Sequence, residues 1–136
     1  MVSSVKKLSN GYVSFDLDGT LAEYNTWIDQ FHIGKPIKAM VDRATSYLNN
    51  GIEIRIFTAR VSGLNSEQIA THIQDWCEQQ GLGRPKVVAH KDYKMVYCYD
   101  DRAKQVQPNT GLVYEDVLNY LLCDPYILEK FNAFTG

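Results

Sequence analysis

Two aspartates one residue apart, Asp16 and Asp18, follow a short apolar run and precede Gly19 and Thr20. Carboxylates paired in this way can hold a divalent cation, act as a nucleophile or exchange protons with a substrate. An arbitrary Asp-x-Asp is more often an Asx-type turn at the end of a strand. The longer string Asp-x-Asp-Gly-Thr, however, arises by chance in a chain of this length with a frequency of only about 10⁻³. It therefore favours a functional site.

The EF-hand calcium loop also begins with this aspartate spacing. It requires a glycine at its sixth position and a glutamate at its twelfth. Counted from Asp16, these positions hold Leu21 and Trp27, which excludes an EF-hand.

The apolar pattern predicts the elements that must position the aspartates. Short runs rich in strand formers alternate with segments of helical periodicity. A capping box, Asn65 with Gln68, marks the start of the second helix. The order predicts an α/β fold, a Rossmann-like three-layer sandwich with a mainly parallel sheet. Strands are predicted over 12–15, 52–58, 87–89 and 95–99, and helices over 36–50, 65–80 and 113–123, with a short further helix from Pro125.

Polar residues follow three of these strands. Asp16 and Asp18 come after the first strand, Thr58 ends the second, and Asp100 and Asp101 come after the fourth. The carboxyl ends of parallel strands lie at one edge of a sheet, where ligands of such folds bind. We therefore expect these side chains to meet there.

The chain resembles the haloacid dehalogenase (HAD) superfamily of phosphohydrolases, whose four motifs appear in the same order. The string at 16–20 matches the first motif, and Phe-Thr-Ala-Arg at 57–60 matches the second. Lys91 is the preferred candidate for the lone lysine of the third motif, with Lys94 as its competitor. Tyr-Asp-Asp-Arg at 99–102 matches the acidic fourth motif.

The resemblance implies a Mg²⁺ site and a covalent intermediate. Asp16 would attack phosphorus, form an aspartyl-phosphate and ligate Mg²⁺. Asp18 would protonate the leaving oxygen, then take a proton from water, and its backbone carbonyl would be a further metal ligand. Asp100 would complete the metal site, and Asp101, which is also included in the predicted metal set, would hold water or the lysine.

It also implies how the phosphoryl group is held. Thr58 would hydrogen-bond a phosphoryl oxygen, and Lys91 would compensate negative charge. Gly19 would let the backbone approach the phosphate, with the amides after Asp16 as donors. Thr20, Arg60 and Arg102 complete the predicted substrate-binding set. Either arginine could instead be solvated, or could bind a second phosphate or a nucleic-acid backbone.

Asp18 favours hydrolysis of the intermediate. The resembling transporting ATPases have threonine at this position, and the dehalogenases lack the second aspartate. We therefore predict a phosphatase. Two alternatives stay open: a catalytically silent binding module with this fold, and a phosphotransferase or mutase.

The intervals between motifs are short. The segment 22–35 has room only for a flap, and 61–90 only for one helix and one strand, so the chain resembles the capless members of the superfamily. An open site suits a phosphate displayed on a large molecule, or a homo-oligomer that covers the site.

The segment 100–106 is similar to the phosphatase half of polynucleotide kinase-phosphatases, and the compact chain is similar to phage-encoded capless proteins. These similarities favour a nucleotide or nucleic-acid-end phosphate, and Tyr24, Trp27 and Phe31 could line a pocket or stack on a base.

The composition is that of an ordinary globular protein. The 136 residues predict a single domain, 1–136, with 45% hydrophobic and 22% charged residues. A net charge of −2 gives no footprint for bulk nucleic-acid or membrane-surface binding, and no apolar run approaches the length of a membrane span. The three cysteines form no C-x-x-C pair and suggest a reducing cytoplasm.

Overall fold

The computed structural model describes residues 10–123. The helix predicted from Pro125 lies outside them. The chain divides into two compact units, Met1–Asp101 and Arg102–Gly136, which are taken one at a time below. That the whole chain forms one domain stays a prediction.

The first unit alternates strands and helices as the sequence predicts, and the bounds of each element match the predicted ones or differ from them by one or two residues. A single 3-10 turn, Ala59–Val61, follows the second strand. The other elements are β1 (Tyr12–Phe15), α1 (Lys38–Asn49), β2 (Glu53–Phe57), α2 (Ser66–Gln79), β3 (Lys86–Val88) and β4 (Met95–Tyr99).

The four strands form one sheet in the order β3-β2-β1-β4, and every neighbouring pair is parallel. The predicted α/β class, a Rossmann-like sandwich with a parallel sheet flanked by helices, is confirmed. Because the order places β1 and β4 side by side, the residues that follow these two strands leave the sheet at the same edge.

Alternation along the strands builds the core. Val13 and Phe15 on β1 pair with Ile54 and Ile56 on β2, and all four side chains are buried. They share one hydrophobic cluster with residues from both helices: Ala44, Ile69, Ile73, Trp76 and Cys77. The helical periodicity seen in the sequence is thus the face that each helix buries against the sheet.

The start of α2 differs from the sequence prediction. Asn65 adopts a left-handed conformation with φ of 60° and makes no side-chain cap hydrogen bond, so the predicted capping box with Gln68 is wrong. Asparagine tolerates this backbone region better than most residues. The helix instead begins with the Asn65 carbonyl, which accepts the Ile69 N–H at 3.0 Å.

The two intervals that could hold a cap are filled as predicted. Within the described part of the first unit, 22–35 forms a flap whose ends pair through an Ala22–Pro36 bridge. The second interval contains only the 3-10 turn, α2 and β3. Neither interval contains a cap domain.

The second unit contains α3 (Tyr114–Cys123), close to the predicted 113–123. An isolated antiparallel bridge joins Val106 to Val113 ahead of this helix, and Lys104 pairs with Glu115 at 3.7 Å. Among residues 10–123, no helix combines the length and apolar character that crossing a bilayer requires.

The buried face of α2 yields a stability prediction. Ile73→Ala removes a fully buried side chain from the cluster and should lower the free energy of unfolding by about 2–5 kcal/mol. Urea denaturation measures the change. Leu64→Ala, at a side chain that is 89% exposed, is the control and should shift the midpoint little.

Candidate active site

The site is centred on three carboxylates at the edge where β1 and β4 end. The Asp16 N–H donates to the carbonyl of Tyr99 at 2.8 Å, which continues the β1–β4 pairing by one residue. One carboxylate oxygen each from Asp16, Asp100 and Asp101 lies within 4.8 Å of the other two. The structure therefore brings together three of the residues predicted from separate motifs.

This proximity changes the acidity of Asp16. Desolvation by burial, a side-chain hydrogen bond with Asp101 and the negative charges of Asp100 and Asp101 raise the pKa of Asp16 to about 7. A hydrogen bond from the Leu17 backbone opposes this shift only partly. Burial and the two neighbouring carboxylates thus disfavour the ionised form of Asp16.

The cluster fits Mg²⁺ by the chemistry of its donors. Mg²⁺ prefers oxygen ligands and is commonly held by one or two carboxylates together with waters. Asp16, Asp100 and Asp101 offer only carboxylate oxygens, and Asp101 is exposed, which leaves space for water. A divalent cation would also relieve the repulsion that raises the pKa of Asp16.

Thr20 binds Asp101 through two hydrogen bonds. Its buried hydroxyl donates to Asp101 Oδ1 at 3.1 Å and accepts the Asp101 N–H at 3.0 Å. The sequence prediction gave Thr20 a substrate-binding role. The structure places its hydroxyl against an acidic residue from a strand end 81 positions away.

Gly19 also faces Asp101. Its φ is +88°, and a Cβ at this position would lie 2.5 Å from Asp101 Oδ2. Its N–H donates to the Ala22 carbonyl at 2.8 Å, so this amide is already engaged within the loop. The requirement for glycine, predicted from approach to a phosphate, is explained here by the approach of a carboxylate.

Thr58 lies buried at the end of β2. Its N–H donates to the Val88 carbonyl at 2.9 Å, and its hydroxyl oxygen accepts the Arg60 N–H at 3.2 Å. The hydroxyl thereby caps the 3-10 turn and retains its own hydrogen as a donor.

Asp18 has an environment unlike that of Asp16. Both of its carboxylate oxygens accept from the Arg60 guanidinium, Oδ2 from Nε and Oδ1 from Nη2, each at 2.8 Å. This bidentate geometry is a strong form of ion pair. Sequence reasoning missed it, because nothing in the local pattern pairs residues that are 42 positions apart.

The flap and the ion pair enclose a cavity of about 370 Å³. Its lining includes Asp18 and Arg60 together with Tyr24, His32 and Lys35 from the flap. Of the other aromatic residues singled out in the flap, Trp27 lies beside Arg60 and the Phe31 ring packs against His72.

The two candidate lysines occupy different places. The backbone of Lys94 pairs with Tyr12, the first residue of β1, at the edge opposite Asp16. Lys91 is exposed. That Lys91 rather than Lys94 is the lysine of the third motif stays a prediction.

The remaining predicted residue, Arg102, begins the second unit, and its substrate-binding role stays a prediction. One supporting feature went unpredicted. The Tyr99 ring stacks on Phe15 with centroids 4.9 Å apart, and the Tyr99 hydroxyl lies 2.7 Å from that of Tyr47. These contacts fix the strand end that bears Asp100.

Comparison with known proteins supports the fold. No protein-family model matches the chain. The curated proteins likewise yield no match. Among solved structures, a conserved protein from Bacteroides thetaiotaomicron is similar, with a TM-score of 0.50 and 15% identity over 82% of this chain and 88% of that one. At this identity the similarity shows the fold alone.

The raised pKa of Asp16 predicts that its charge destabilises the metal-free protein. The folded pKa of about 7 exceeds the usual aspartate value of about 4, so this carboxyl disfavours folding increasingly as the pH rises from about 4 to about 7, and the cost is constant above that range. Asp16→Asn should therefore stabilise the metal-free protein at pH 8 by about 1–2 kcal/mol, a figure reduced for partial solvent exposure, and have little effect near pH 4.

Thermal unfolding in a chelator at both pH values measures this effect. Asp42→Asn, at a surface carboxylate paired with Lys38, is the matched control. A lower melting temperature for Asp16→Asn at pH 8 would contradict the electrostatic account.

The Thr20–Asp101 bonds yield a second prediction. Thr20→Val keeps the shape of the side chain but leaves the Asp101 carboxylate less well oriented, and it should weaken Mg²⁺ binding by about fivefold to a hundredfold. Calorimetric titration with Mg²⁺ measures this. Thr71→Val, which removes a hydroxyl bonded to the Glu67 carbonyl on α2, should leave the affinity unchanged.

Proposed function

We propose that this protein is a Mg²⁺-dependent phosphomonoester hydrolase of the HAD type. The observation that carries the proposal is the convergence of Asp16, Asp100 and Asp101 at the carboxyl ends of two adjacent parallel strands. The first of these follows β1 directly and belongs to the Asp-x-Asp-Gly-Thr string. A carboxylate cluster at this edge is where an α/β fold of this kind binds its ligand.

The proposed reaction has two steps. An Asp16 carboxylate oxygen forms a bond to phosphorus while the bond from phosphorus to the leaving oxygen breaks, and Asp18 gives that oxygen a proton. Water then attacks the phosphorus of the aspartyl-phosphate, Asp18 takes the proton of the water, and inorganic phosphate leaves with Asp16 regenerated. Bound Mg²⁺ supplies the positive charge that lets an anionic nucleophile approach a phosphate dianion.

Two further residues would hold the phosphoryl group. Thr58, whose hydroxyl keeps a hydrogen to donate, is suited to bond a phosphoryl oxygen. Lys91 would offset negative charge on the phosphate and on Asp16. Each assignment rests on motif order together with the location of the residue.

The proposed substrate is a nucleotide or a phosphorylated nucleic-acid end. The cavity beside Asp18 is within the range of small-molecule sites, and its mixed polar and aromatic lining suits a polar organic group attached to the phosphate. The proposal includes a reducing, cytoplasmic setting and leaves a homo-oligomer open.

Purified protein with Mg²⁺ should release phosphate from an aryl phosphate, and Asp16→Asn should reduce the rate by about 10³-fold or more, because the nucleophile is lost. A chelator should abolish the activity, and added Mg²⁺ should restore it. Asp42→Asn is again the matched control, since that carboxylate lies on the surface of α1.

A panel of nucleoside monophosphates, sugar phosphates and 3′- and 5′-phosphorylated oligonucleotides would identify the substrate class. Activity confined to sugar phosphates would contradict the nucleotide assignment. Failure to hydrolyse any member of the panel, together with no binding of Mg²⁺, would overturn the proposed function.

A further inference from the structure

The Arg60 side chain donates three hydrogen bonds beside the proposed catalytic residues. This side chain is only 6% exposed, against 22% for Asp18. Two of its nitrogens donate to the two Asp18 oxygens, and the third, Nη1, donates to the Gln30 carbonyl of the flap at 3.0 Å. Its guanidinium carbon lies 5.4 Å from the centre of the Trp27 ring, which is also part of the flap.

The position of this guanidinium is set by the end of β2. The Arg60 backbone N–H donates to the Thr58 hydroxyl, which fixes the first turn after the strand. From this anchored start, one side chain reaches the motif-one loop at Asp18 and the flap at Gln30. Three separate segments therefore meet at one cation.

These bonds argue against the substrate-binding role predicted for Arg60. A phosphate that recruited this guanidinium would have to replace the two bonds to Asp18 and leave a carboxylate without its partner, which is costly for a poorly exposed pair. A side chain committed to three protein acceptors acts by holding them in place.

The flap is itself internally braced, so it can respond as a unit. The Asp29 carboxylate accepts the N–H groups of Phe31 and His32 at 2.8 and 2.7 Å. On its far side the Phe31 carbonyl is hydrogen-bonded to the ring of His72 on α2.

Ala22, at the start of the flap, forms a backbone bridge with Asp18. Arg60 adds the side-chain link between Asp18 and the middle of the flap at Gln30.

We propose that Arg60 is a positioning residue that holds the Asp18 carboxylate and the flap in one arrangement, so that the group that takes the proton of the attacking water and the wall of the leaving-group cavity are placed together. This inference rests on the proposed function for the role of Asp18. The link between Arg60, Asp18 and the flap can be tested independently of turnover.

The kinetic test separates positioning from substrate binding. Arg60→Ala should lower kcat for an aryl phosphate by about tenfold to a hundredfold and change KM by less than about threefold. Arg60→Lys keeps the positive charge but lacks the planar guanidinium, so its kcat should also be lower than that of the wild type. A higher KM with unchanged kcat would overturn the inference and assign Arg60 to substrate binding. Arg84→Ala, at an arginine paired with Asp75 outside the site, is the matched control.

The structural test uses amide hydrogen exchange across residues 24–35. Arg60→Ala should speed exchange there by about tenfold, and Asp18→Ala should do so as well, because it removes the main anchor of the guanidinium. The double variant should exchange no faster than the faster single one, since all three break the same link. Wild-type exchange in Asp18→Ala would overturn the inference.

The two failures are distinguishable. If the wild-type protein hydrolyses nothing while both variants speed flap exchange, the link stands and the proposed function fails. If the wild type is active and Arg60→Ala keeps its kcat and its flap exchange, the function stands and the inference fails.

Discussion

The arrangement at the edge of the sheet depends on holding three like charges close together. Asp16, Asp100 and Asp101 repel one another when ionised, and partial burial adds a desolvation cost that raises the pKa of Asp16 to about 7. In the metal-free chain, this repulsion opposes folding at neutral and higher pH. The parallel pairing of β1 with β4, which the hydrophobic cluster beneath the sheet supports, must supply the stabilisation that offsets it. A carboxyl with a pKa raised in this way is typical of a functional site.

The loop after β1 keeps this cluster in register. Leu17 and Leu21 are fully buried and anchor the loop in the core, while Thr20 and Gly19 between them face Asp101. The two buried leucines hold the loop against the core, and the Thr20 hydroxyl orients the Asp101 carboxylate. The Asp-x-Asp-Gly-Thr string therefore has two functions. Its aspartates carry the proposed chemistry, and its last two residues, Gly19 and Thr20, contact Asp101 after β4.

The elements were predictable because short apolar runs and helical periodicity are local properties of the sequence. The strand ends followed directly, so the grouping of Asp16 with Asp100 and Asp101 could be expected once parallel pairing was assumed. The hydrogen-bond partners of Thr20 and Arg60 could not be predicted, because they lie 81 and 42 residues away in the sequence. Only the folded loop determines the directions of these side chains. The predicted capping box at the start of α2 was wrong for the opposite reason. Its pattern was local, but the left-handed backbone of Asn65 took the side chain out of capping geometry.

Two aspartates separated by one residue end in opposite electrostatic surroundings. Asp16 lies among other carboxylates, and Asp18 is held by both arms of a guanidinium. The intervening residue, Leu17, turns into the core, so the chain directs the two acids to different neighbours. Pairs of titratable groups with contrasting environments are how proteins divide nucleophilic and proton-transfer roles between chemically identical side chains. In the absence of a metal, the surroundings of Asp16 favour its protonated form, so its proposed role as nucleophile requires bound Mg²⁺, which would favour the ionised form. Asp18 would be the acid and base, with its position tied through Arg60 to the flap above the leaving group.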